Sequence, residues 1–384
     1  MRKDTWEKTD PPLEGDVRLV NSCWTIPRRP DDGFLRTKLL TAKNWTFPRW
    51  AFRRVRHALL RRRRPGFAEL RGLLLDGEFL DALADADAVI STGGHHVTTL
   101  LVPDLVTPIL VEMALALLMQ KPLVLWSQSV GPLRFTCAEN RDFTRAVLRE
   151  ALEIHVRDEQ SLRELEDLGV GLENVRQTHD SVFGLDDVLS GYVPPSAREP
   201  VAGVSVYGIM RRPPEWQQVY VQALTDVVNR MIGDGLYVRF FTMERADGPG
   251  DDRPVIRRIL DGVGKRERCE IVEDLEATEH LRQVARCRIF IGHKTHSVIM
   301  ALAAATPVLS LAYHVKTEYF AQQFGVSEYC VPDTELAGDR ILHVYEKECT
   351  ALDAISRHLL ERSREIGRIV RNDFAGMLQR IAAR

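Results

Sequence analysis

The sequence predicts an α/β protein with two Rossmann-like, doubly wound parallel sheets that face a cleft, followed by closing C-terminal helices. Short β-branched runs alternate with helical patterns, and each run ends in small or polar residues, which is typical of parallel sheets. The chain has 384 residues, which is too long for one ordinary domain. A proline-containing stretch at 191–200 interrupts the pattern, which then starts again. We therefore predict two domains joined by this stretch.

The first domain is predicted at residues 1–193, the second at 200–340, and the closing helices at 341–384. The predicted strands of the first domain are 87–91, 122–126 and 153–156, separated by helical stretches at 109–120 and 143–150. Those of the second domain are 201–206, 237–242, 270–272, 288–291 and 307–312. Ligands bind beyond the carboxyl ends of the strands in such sheets, so a site is expected in the loops that follow them.

Composition limits the classes of function. The net charge of −2 argues against nucleic-acid binding, because nucleic-acid-binding domains are usually basic. Residues 1–16 are polar and lack the apolar core of a signal peptide, and no run approaches the ~20 apolar residues of a membrane-spanning helix. The six cysteines form no CxxC pair and no metal-ligand spacing. We predict a cytoplasmic protein with reduced thiols and no metal site.

Gly93 and Gly94 follow the first predicted strand. Paired glycines can let backbone N–H groups approach an anionic ligand at a helix start. They can also form a tight turn that needs positive φ, and the motif alone favours this second interpretation. The adjacent His95 and His96 have no third metal ligand at a suitable spacing, so we interpret them as cleft-lining or loop residues.

Polar residues also follow the next two strands. Gln128 lies in a turn-prone run, 127–132, where its side chain could orient a sugar hydroxyl or simply complete a turn. Asp158 is placed to cap a helix, and Arg157 could point into the cleft as a bidentate ligand for phosphate or carboxylate. The alternative for Arg157 is a surface arginine paired with its neighbours.

The strongest candidate site is the run 289–296, a strand that leads into Gly-His-Lys-Thr-His. His296 is predicted at a helix start, where the helix dipole favours a nearby anion. An imidazole there can donate a proton if a bound phosphate holds its charged form. Lys294 and Lys316 are both expected at strand ends that face the same crevice. Together these residues suit an anionic substrate.

The order and spacing of these motifs resemble the polysaccharide pyruvyl transferase family. The resemblance spans residues 85–331 and rests on Gly93-Gly94, the run 128–132, Val156-Arg157-Asp158 with Ser161, the run 180–183, His296, Pro307, Tyr313 and Lys316. It implies a fold like that of GT-B glycosyltransferases and transfer of a pyruvyl group from phosphoenolpyruvate to sugar hydroxyls as a ketal. It also implies that His296 is the general acid and that Arg157 and Lys316 hold phosphoenolpyruvate. The resemblance further implies that phosphoenolpyruvate is the donor substrate and that the reaction needs no metal or cofactor.

The sequence departs from the family pattern at three places. Lys294 stands where the family usually has an arginine, which keeps the charge but loses the bidentate geometry, and we assign it to phosphoenolpyruvate. Tyr207 stands where an arginine is common, and we assign it with Tyr313, Gly93, Gly94 and Gln128 to the acceptor or the cleft. The usual N-terminal strand and Asn-x-Gly-Asp loop are replaced by Glu14-Gly15-Asp16, so the first βα unit is missing or diverged.

Residues 45–64 concentrate arginines and aromatic side chains. This segment could dock on an anionic membrane surface, where lipid-linked sugars reside, hold an anionic acceptor, or form a solvated helix whose aromatics pack on the first domain. The acceptor itself stays open between a free glycan and a lipid-linked one. Two other functions also stay open. One is a nucleotide-sugar glycosyltransferase that uses Glu244 or Asp274, and the other is a non-catalytic relative.

Overall fold

The computed structural model describes residues 49–72, 78–100, 108–189, 191–208, 212–244, 250–313 and 315–383. The first βα unit, which is predicted to be missing or diverged, and the loop at Glu14 both concern residues outside these ranges. The chain forms two compact units, one made of Met1–Ser181 with Val370–Arg384 and the other of Val182–Ile369. The division therefore falls at Ser181, earlier than the expected linker, and the C-terminal helical region is shared between the units.

The first unit contains a parallel sheet of five described strands. Its described helices are α1 (Arg49–Leu60), α2 (Phe67–Arg71), α3 (Glu78–Asp85), α4 (Pro108–Leu118), α5 (Ala138–Glu150) and α6 (Glu159–Leu168). Its strands are β1 (Val89–Ser91), β2 (Gly94–Val97), β3 (Leu123–Val130), β4 (Glu153–Val156) and β5 (Val175–Gln177). The strand order is β1-β3-β4-β5, and β2 also pairs with β3. Every pair is parallel.

The second unit contains a parallel sheet of six strands. Its described helices are α7 (Pro214–Gly233), α8 (Arg253–Asp261), α9 (Ala277–Arg286), α10 (Thr295–Ala303), α11 (Val315–Gln323), α12 (Gly338–Cys349) and α13 (Leu352–Ala382), the last of which contains the division between the units. Its strands are β6 (Val201–Ser205), β7 (Tyr237–Phe241), β8 (Cys269–Val272), β9 (Ile289–Gly292), β10 (Val308–Ala312) and β11 (Cys330–Pro332).

The strand order of the second sheet is β8-β7-β6-β9-β10-β11. Counted within the unit this is 3-2-1-4-5-6, the order of a Rossmann sheet. The order reverses between β6 and β9, and ligands of such sheets bind beyond the carboxyl ends of the two strands at that point. The prediction of two Rossmann-like parallel-sheet units of the GT-B-like class is confirmed.

The run 127–132 was predicted to form a turn, but strand β3 extends to Val130. The prediction is therefore wrong for residues 127–130. All eight residues of β3 are buried. A buried strand tolerates polar side chains when they find hydrogen-bond partners. Ser129 Oγ donates to Asp158 Oδ2 at 2.7 Å, and Ser127 Oγ donates to the His179 carbonyl at 3.1 Å.

The Gly93-Gly94 pair also differs from its prediction, because Gly94 begins β2 and no helix follows directly. Neither glycine has positive φ, so the tight-turn interpretation is wrong. The glycines are needed for close approach instead. A Cβ on Gly93 would lie 3.0 Å from the Ser127 carbonyl oxygen, and one on Gly94 would collide with the His96 ring. His95 and His96 are strand residues rather than loop residues.

The predicted linker at 191–200 is fixed to the second unit by Arg198, whose guanidinium is buried. It donates to the carbonyls of Val193, Cys287 and Ala305 and to the hydroxyls of Thr306 and Ser356. A buried guanidinium with this many acceptors holds the chain firmly, because removing it would leave several polar groups unpaired. This stretch is therefore an integral part of the second unit.

Candidate functional site

The predicted residues of the second unit gather where its strand order reverses. Ser205 pairs with Gly292, which places the carboxyl ends of β6 and β9 level with each other. Tyr207 follows β6, Lys294 follows β9 and Tyr313 follows β10. The His293 N–H donates to the Ser205 carbonyl at 3.2 Å and so closes the two strand ends together.

His296 lies in the first turn of α10, as predicted, and its side chain is exposed. The first N–H groups of a helix have no partner within the helix, and they carry partial positive charge. An anion can therefore bind beside His296, and a substrate can reach the imidazole. Lys316 lies in the first turn of α11 rather than at the end of a strand, because the helix already begins at Val315. Its side chain is partly exposed.

Lys294 is held by acidic groups of its own unit. Its Nζ lies 2.8 Å from Asp252 Oδ1, 3.0 Å from Glu244 Oε2 and 3.3 Å from the Gly250 carbonyl. The contacts with Glu244 and Gly250 are hydrogen bonds, and the contact with Asp252 is an ion pair. Asp252 is completely buried, and burial raises its pKa while Lys294 opposes that rise. As a phosphoenolpyruvate ligand, Lys294 would have to exchange one of these acceptors.

Tyr207 and Tyr313 form an aromatic pair at the same edge of the sheet. Their ring centroids lie 4.4 Å apart with an angle of 27° between the planes. Both side chains are partly exposed. Burial raises the pKa of Tyr313. The pair therefore presents apolar rings beside the carboxyl ends of β6 and β10.

In the first unit, Arg157 follows β4 and is buried, so it is not the surface arginine that was the alternative. Its Nε donates to Ser129 Oγ at 2.9 Å, and its Nη1 forms an ion pair with Asp180. Asp158 caps α6 by accepting the Ser161 N–H at 2.8 Å, as predicted.

Gln128 is also buried, and its amide nitrogen is used within the first unit. It donates to the carbonyls of Ser91 at 3.1 Å and Thr92 at 2.6 Å. These bonds tie β3 to the end of β1. Two motifs of the family resemblance also meet in the first unit. Arg157 of the first motif forms an ion pair with Asp180, which begins the run 180–183.

Comparison with known proteins identifies the chain at family level. Residues 21–315 match the sequence profile of the family described as Polysaccharide pyruvyl transferase. The chain belongs to the polysaccharide pyruvyl transferase family. It is 29% identical over 272 residues to the "Amylovoran biosynthesis protein AmsJ" of Erwinia amylovora, a match that covers 65% of this chain and 62% of that protein. The chain thus matches less than two thirds of the length of this relative.

Solved structures with low sequence identity to this chain show the same fold. A UDP-N-acetylglucosamine 2-epimerase superposes with a TM-score of 0.51 at 13% identity, covering 84% of this chain and 80% of the epimerase. A putative UDP-N-acetylglucosamine 2-epimerase from Listeria monocytogenes gives a TM-score of 0.52 at 12% identity, covering 82% and 80%. These similarities concern the fold alone.

Two residues that support the motif loop, Asp252 and Tyr220, were not predicted from the sequence. Asp252 neutralises Lys294, and Tyr220 bonds to His293. One weak indication of a role for Asp252 was its position directly before helix α8, where acidic residues are common. Within the described ranges, no group of three or more His, Cys, Asp or Glu side chains is arranged to hold a metal ion. The same residues contain no helix with the length and hydropathy that crossing a membrane requires.

Proposed function

We propose that the protein transfers a pyruvyl group from phosphoenolpyruvate to two hydroxyls of a sugar, forming a pyruvate ketal and releasing phosphate. The observation that carries this proposal is the position of His296, exposed in the first turn of α10 where the strand order reverses. Family membership supports transfer of a pyruvyl group, and similarity to a protein of amylovoran biosynthesis supports a polysaccharide or its precursor as the acceptor.

In the proposed reaction, His296 donates its proton to the methylene carbon of phosphoenolpyruvate. Positive charge then develops at the carbon that bears the phosphate, and the first sugar hydroxyl attacks it and returns a proton to His296. The C–O bond to phosphate breaks, the second hydroxyl attacks the same carbon, and the departing phosphate takes up the proton that this hydroxyl loses. The products are the ketal and inorganic phosphate, so atoms and charges balance without a redox step.

Cationic side chains stabilise the carboxylate and phosphate charges in this scheme. We assign Arg157 and Lys316 to phosphoenolpyruvate. Lys294 joins them if the substrate replaces one of its three acceptors. Tyr207 and Tyr313 are assigned to the acceptor, because they offer partly exposed rings. Gly93, Gly94 and Gln128 are assigned to shaping the first unit around the ligands, since their contacts lie within that unit.

Phosphate release tests the proposal. The protein is incubated with phosphoenolpyruvate and candidate glycans, free and lipid-linked, and phosphate is measured over time. His296→Ala should lower the rate by about 10²–10⁴, the usual contribution of a general acid. His343→Ala is the matched control, because His343 is an exposed histidine on α12. Full activity of His296→Ala, or an inactive wild type with every acceptor, would contradict the proposal.

A nucleotide-sugar glycosyltransferase is less well supported by the contacts. Glu244, one of its two candidate ligands for the nucleotide, is engaged with Lys294. The same assay with UDP-sugars in place of phosphoenolpyruvate separates the two activities. A non-catalytic relative would release no phosphate under either condition.

We also propose that the corner formed by α1 and α2 contacts an anionic membrane surface. One side of α1 packs into the core of the first unit through Ala51, Val55, Ala58 and Leu59. Phe52 also makes an edge contact with Phe143, with ring centroids 5.4 Å apart. One side of α1 therefore agrees with the interpretation that the aromatic side chains of this segment pack on the first domain. Residues 45–48 lie outside the described ranges.

The outer side of this corner carries the features that support membrane contact. A cavity of about 470 Å³ is lined by Arg53, Arg54, His57 and Arg63 among others. Leu60 and Phe67 are 40% and 39% exposed next to the run of arginines at 61–64. Basic residues attract anionic headgroups, and exposed apolar side chains can insert between them.

Vesicle sedimentation tests this contact. The protein should bind phosphatidylglycerol vesicles at low salt and dissociate at high salt, while phosphatidylcholine vesicles should leave it in solution. Each cation contributes about 1 kcal/mol, so replacing the four arginines at 61–64 by glutamine should abolish sedimentation. Equal binding to both vesicle types would contradict an electrostatic contact.

A further inference from the structure

His293 lies in the motif loop but is completely buried. Its ring is surrounded by three tyrosines, with centroid distances of 5.1 Å to Tyr220, 5.3 Å to Tyr207 and 5.6 Å to Tyr313. A side chain without solvent exposure does not touch a substrate directly. Any effect of His293 on the reaction must therefore pass through the residues around it.

The hydrogen bonds connect His293 to one of these tyrosines in particular. Tyr220 Oη accepts the backbone N–H of Tyr207 at 3.1 Å and lies 2.8 Å from His293 Nδ1. Tyr220 is fully buried, and its one hydroxyl proton needs an acceptor. His293 Nδ1 lies within hydrogen-bond distance of this hydroxyl, whereas His293 Nε2 has no hydrogen-bond partner among the described residues. Burial, helped by Arg212 and Lys294, lowers the pKa of His293 to about 3, so the neutral form persists at physiological pH.

This network fixes Tyr207 at the end of β6. The backbone of Tyr207 is bound to Tyr220, Tyr220 is bound to His293, and His293 is bound by its own N–H to Ser205. Tyr207 in turn stacks on Tyr313, and both rings are partly exposed. The faces of aromatic rings are apolar and carry negative charge density, which suits the C–H groups on one face of a pyranose ring.

We infer that His293 is a positioning residue that, through Tyr220, holds the Tyr207–Tyr313 pair as a platform for the pyranose ring of the acceptor. The inference rests on the proposed function for the acceptor being a sugar. It assigns the specificity for the acceptor to the second unit and leaves proton donation to His296. His293 and His296 thus have different roles although they are only three positions apart in the chain.

Sugar binding in the absence of phosphoenolpyruvate tests this inference. Saturation-transfer NMR would be recorded with methyl β-glucopyranoside and methyl β-galactopyranoside as probes. Tyr207→Ala and His293→Phe should each weaken the signal from the sugar C–H protons by about five-fold, the loss expected for one aromatic contact. Tyr207→Phe keeps the ring and should retain the signal.

His280→Phe is the matched control for His293→Phe. His280 is also buried in the second unit, stacks on Phe241 at 5.0 Å and has its pKa lowered to about 4 by burial. It should leave sugar binding unchanged. Tyr220→Phe is a second test if His293→Phe does not fold, because it removes only the hydroxyl that joins His293 to Tyr207.

Kinetics provide a further readout that a purely structural role would not give. His293→Phe should raise the KM for the acceptor about five-fold while the KM for phosphoenolpyruvate changes by less than about two-fold. Unchanged sugar signals in folded His293→Phe and Tyr220→Phe, or no sugar binding by the wild type, would overturn the inference. Sugar binding without phosphate release would instead contradict the proposed function and leave the platform intact.

Discussion

At the scale of single residues, Lys294 and Asp252 depend on each other. Asp252 is completely buried, and its carboxylate accepts the N–H groups of Met243 and Glu244 and forms an ion pair with Lys294. Lys294 itself is only 12% exposed. Removing one partner of a buried ion pair is costly, because the other charge is left without compensation.

We therefore predict that Lys294→Met lowers the free energy of unfolding at pH 7 by about 3–5 kcal/mol. The matched control is Glu244→Gln, since Glu244 is 51% exposed and an exposed pair contributes about 1 kcal/mol or less. Urea unfolding of both variants provides the measurement. If Lys294→Met unfolds at the wild-type urea concentration, the lysine does not stabilise Asp252 and its main role is at the substrate.

The sequence was sufficient to place residues that follow strands, but not to find their partners. His296 could be placed at a helix start because a strand and a small-residue helix enclose it in the chain. Tyr220 could not be connected to His293, because the two are 73 positions apart and only the fold brings them together. The same applies to Arg157 and Asp180, which are 23 positions apart.

At the scale of secondary structure, most strands were predicted, but the short strands β2, β5 and β11 and the polar second half of β3 were not. The apolar start of β3 was predicted, but its second half contains Ser127, Gln128 and Ser129, which resemble a turn. These side chains donate hydrogen bonds to β1, to Asp158 and to the His179 carbonyl, so the buried strand can carry them. Strand β2 was missed for a related reason, since glycines and histidines are poor indicators of a strand.

Helix α12 contains a second buried acid that the proposed mechanism does not use. Glu348 is completely buried, and neither of its carboxyl oxygens has a hydrogen-bond partner among the described residues. Burial raises its pKa well above the ordinary value of 4.5. Because the folded pKa is the higher one, folding binds a proton, and the stabilising effect is complete only below the unfolded value. It is lost as the pH rises toward the folded pKa.

We predict that Glu348→Gln is more stable than the wild type at pH 7.5 by about 1–3 kcal/mol, the cost of burying an unsatisfied ionisable group. The difference should shrink as the pH falls toward 4.5, the ordinary pKa of the group. Thermal unfolding across this pH range measures it, with Glu346→Gln as the exposed control on the same helix. A difference that does not change with pH would show that ionisation of Glu348 is not its cause.

At the scale of the whole molecule, both units bury neutral histidines. His155 in the first unit and His280 and His293 in the second are buried, and burial is the largest cause of the lowered pKa of each. His96 in β2 is partly buried, and its pKa is lowered by burial and by the charge of Arg157. His155 lies in β4, His280 in α9 and His293 directly after β9, and burial at each place disfavours the charged imidazole.

These histidines should make the protein sensitive to acid. A group with a lowered folded pKa contributes stability that is complete above its unfolded value of 6.5 and decreases as the pH falls. The pKa of His280 is about 4 and that of His293 about 3, so at pH 5 only the unfolded chain is protonated. Each should therefore lower the free energy of unfolding by about 2 kcal/mol between pH 7.5 and pH 5.

His280→Phe tests this prediction away from the proposed site. Phenylalanine keeps the aromatic contact with Phe241 but cannot take up a proton, so the variant should lose about 2 kcal/mol less than the wild type between pH 7.5 and pH 5. Urea unfolding at the two pH values gives the difference, and exposed His343→Phe should follow the wild type. Glu348 acts in the opposite direction over this range, so the comparison must be between variants that retain it. Equal pH dependence of His280→Phe and wild type would mean that the acid sensitivity comes from other groups.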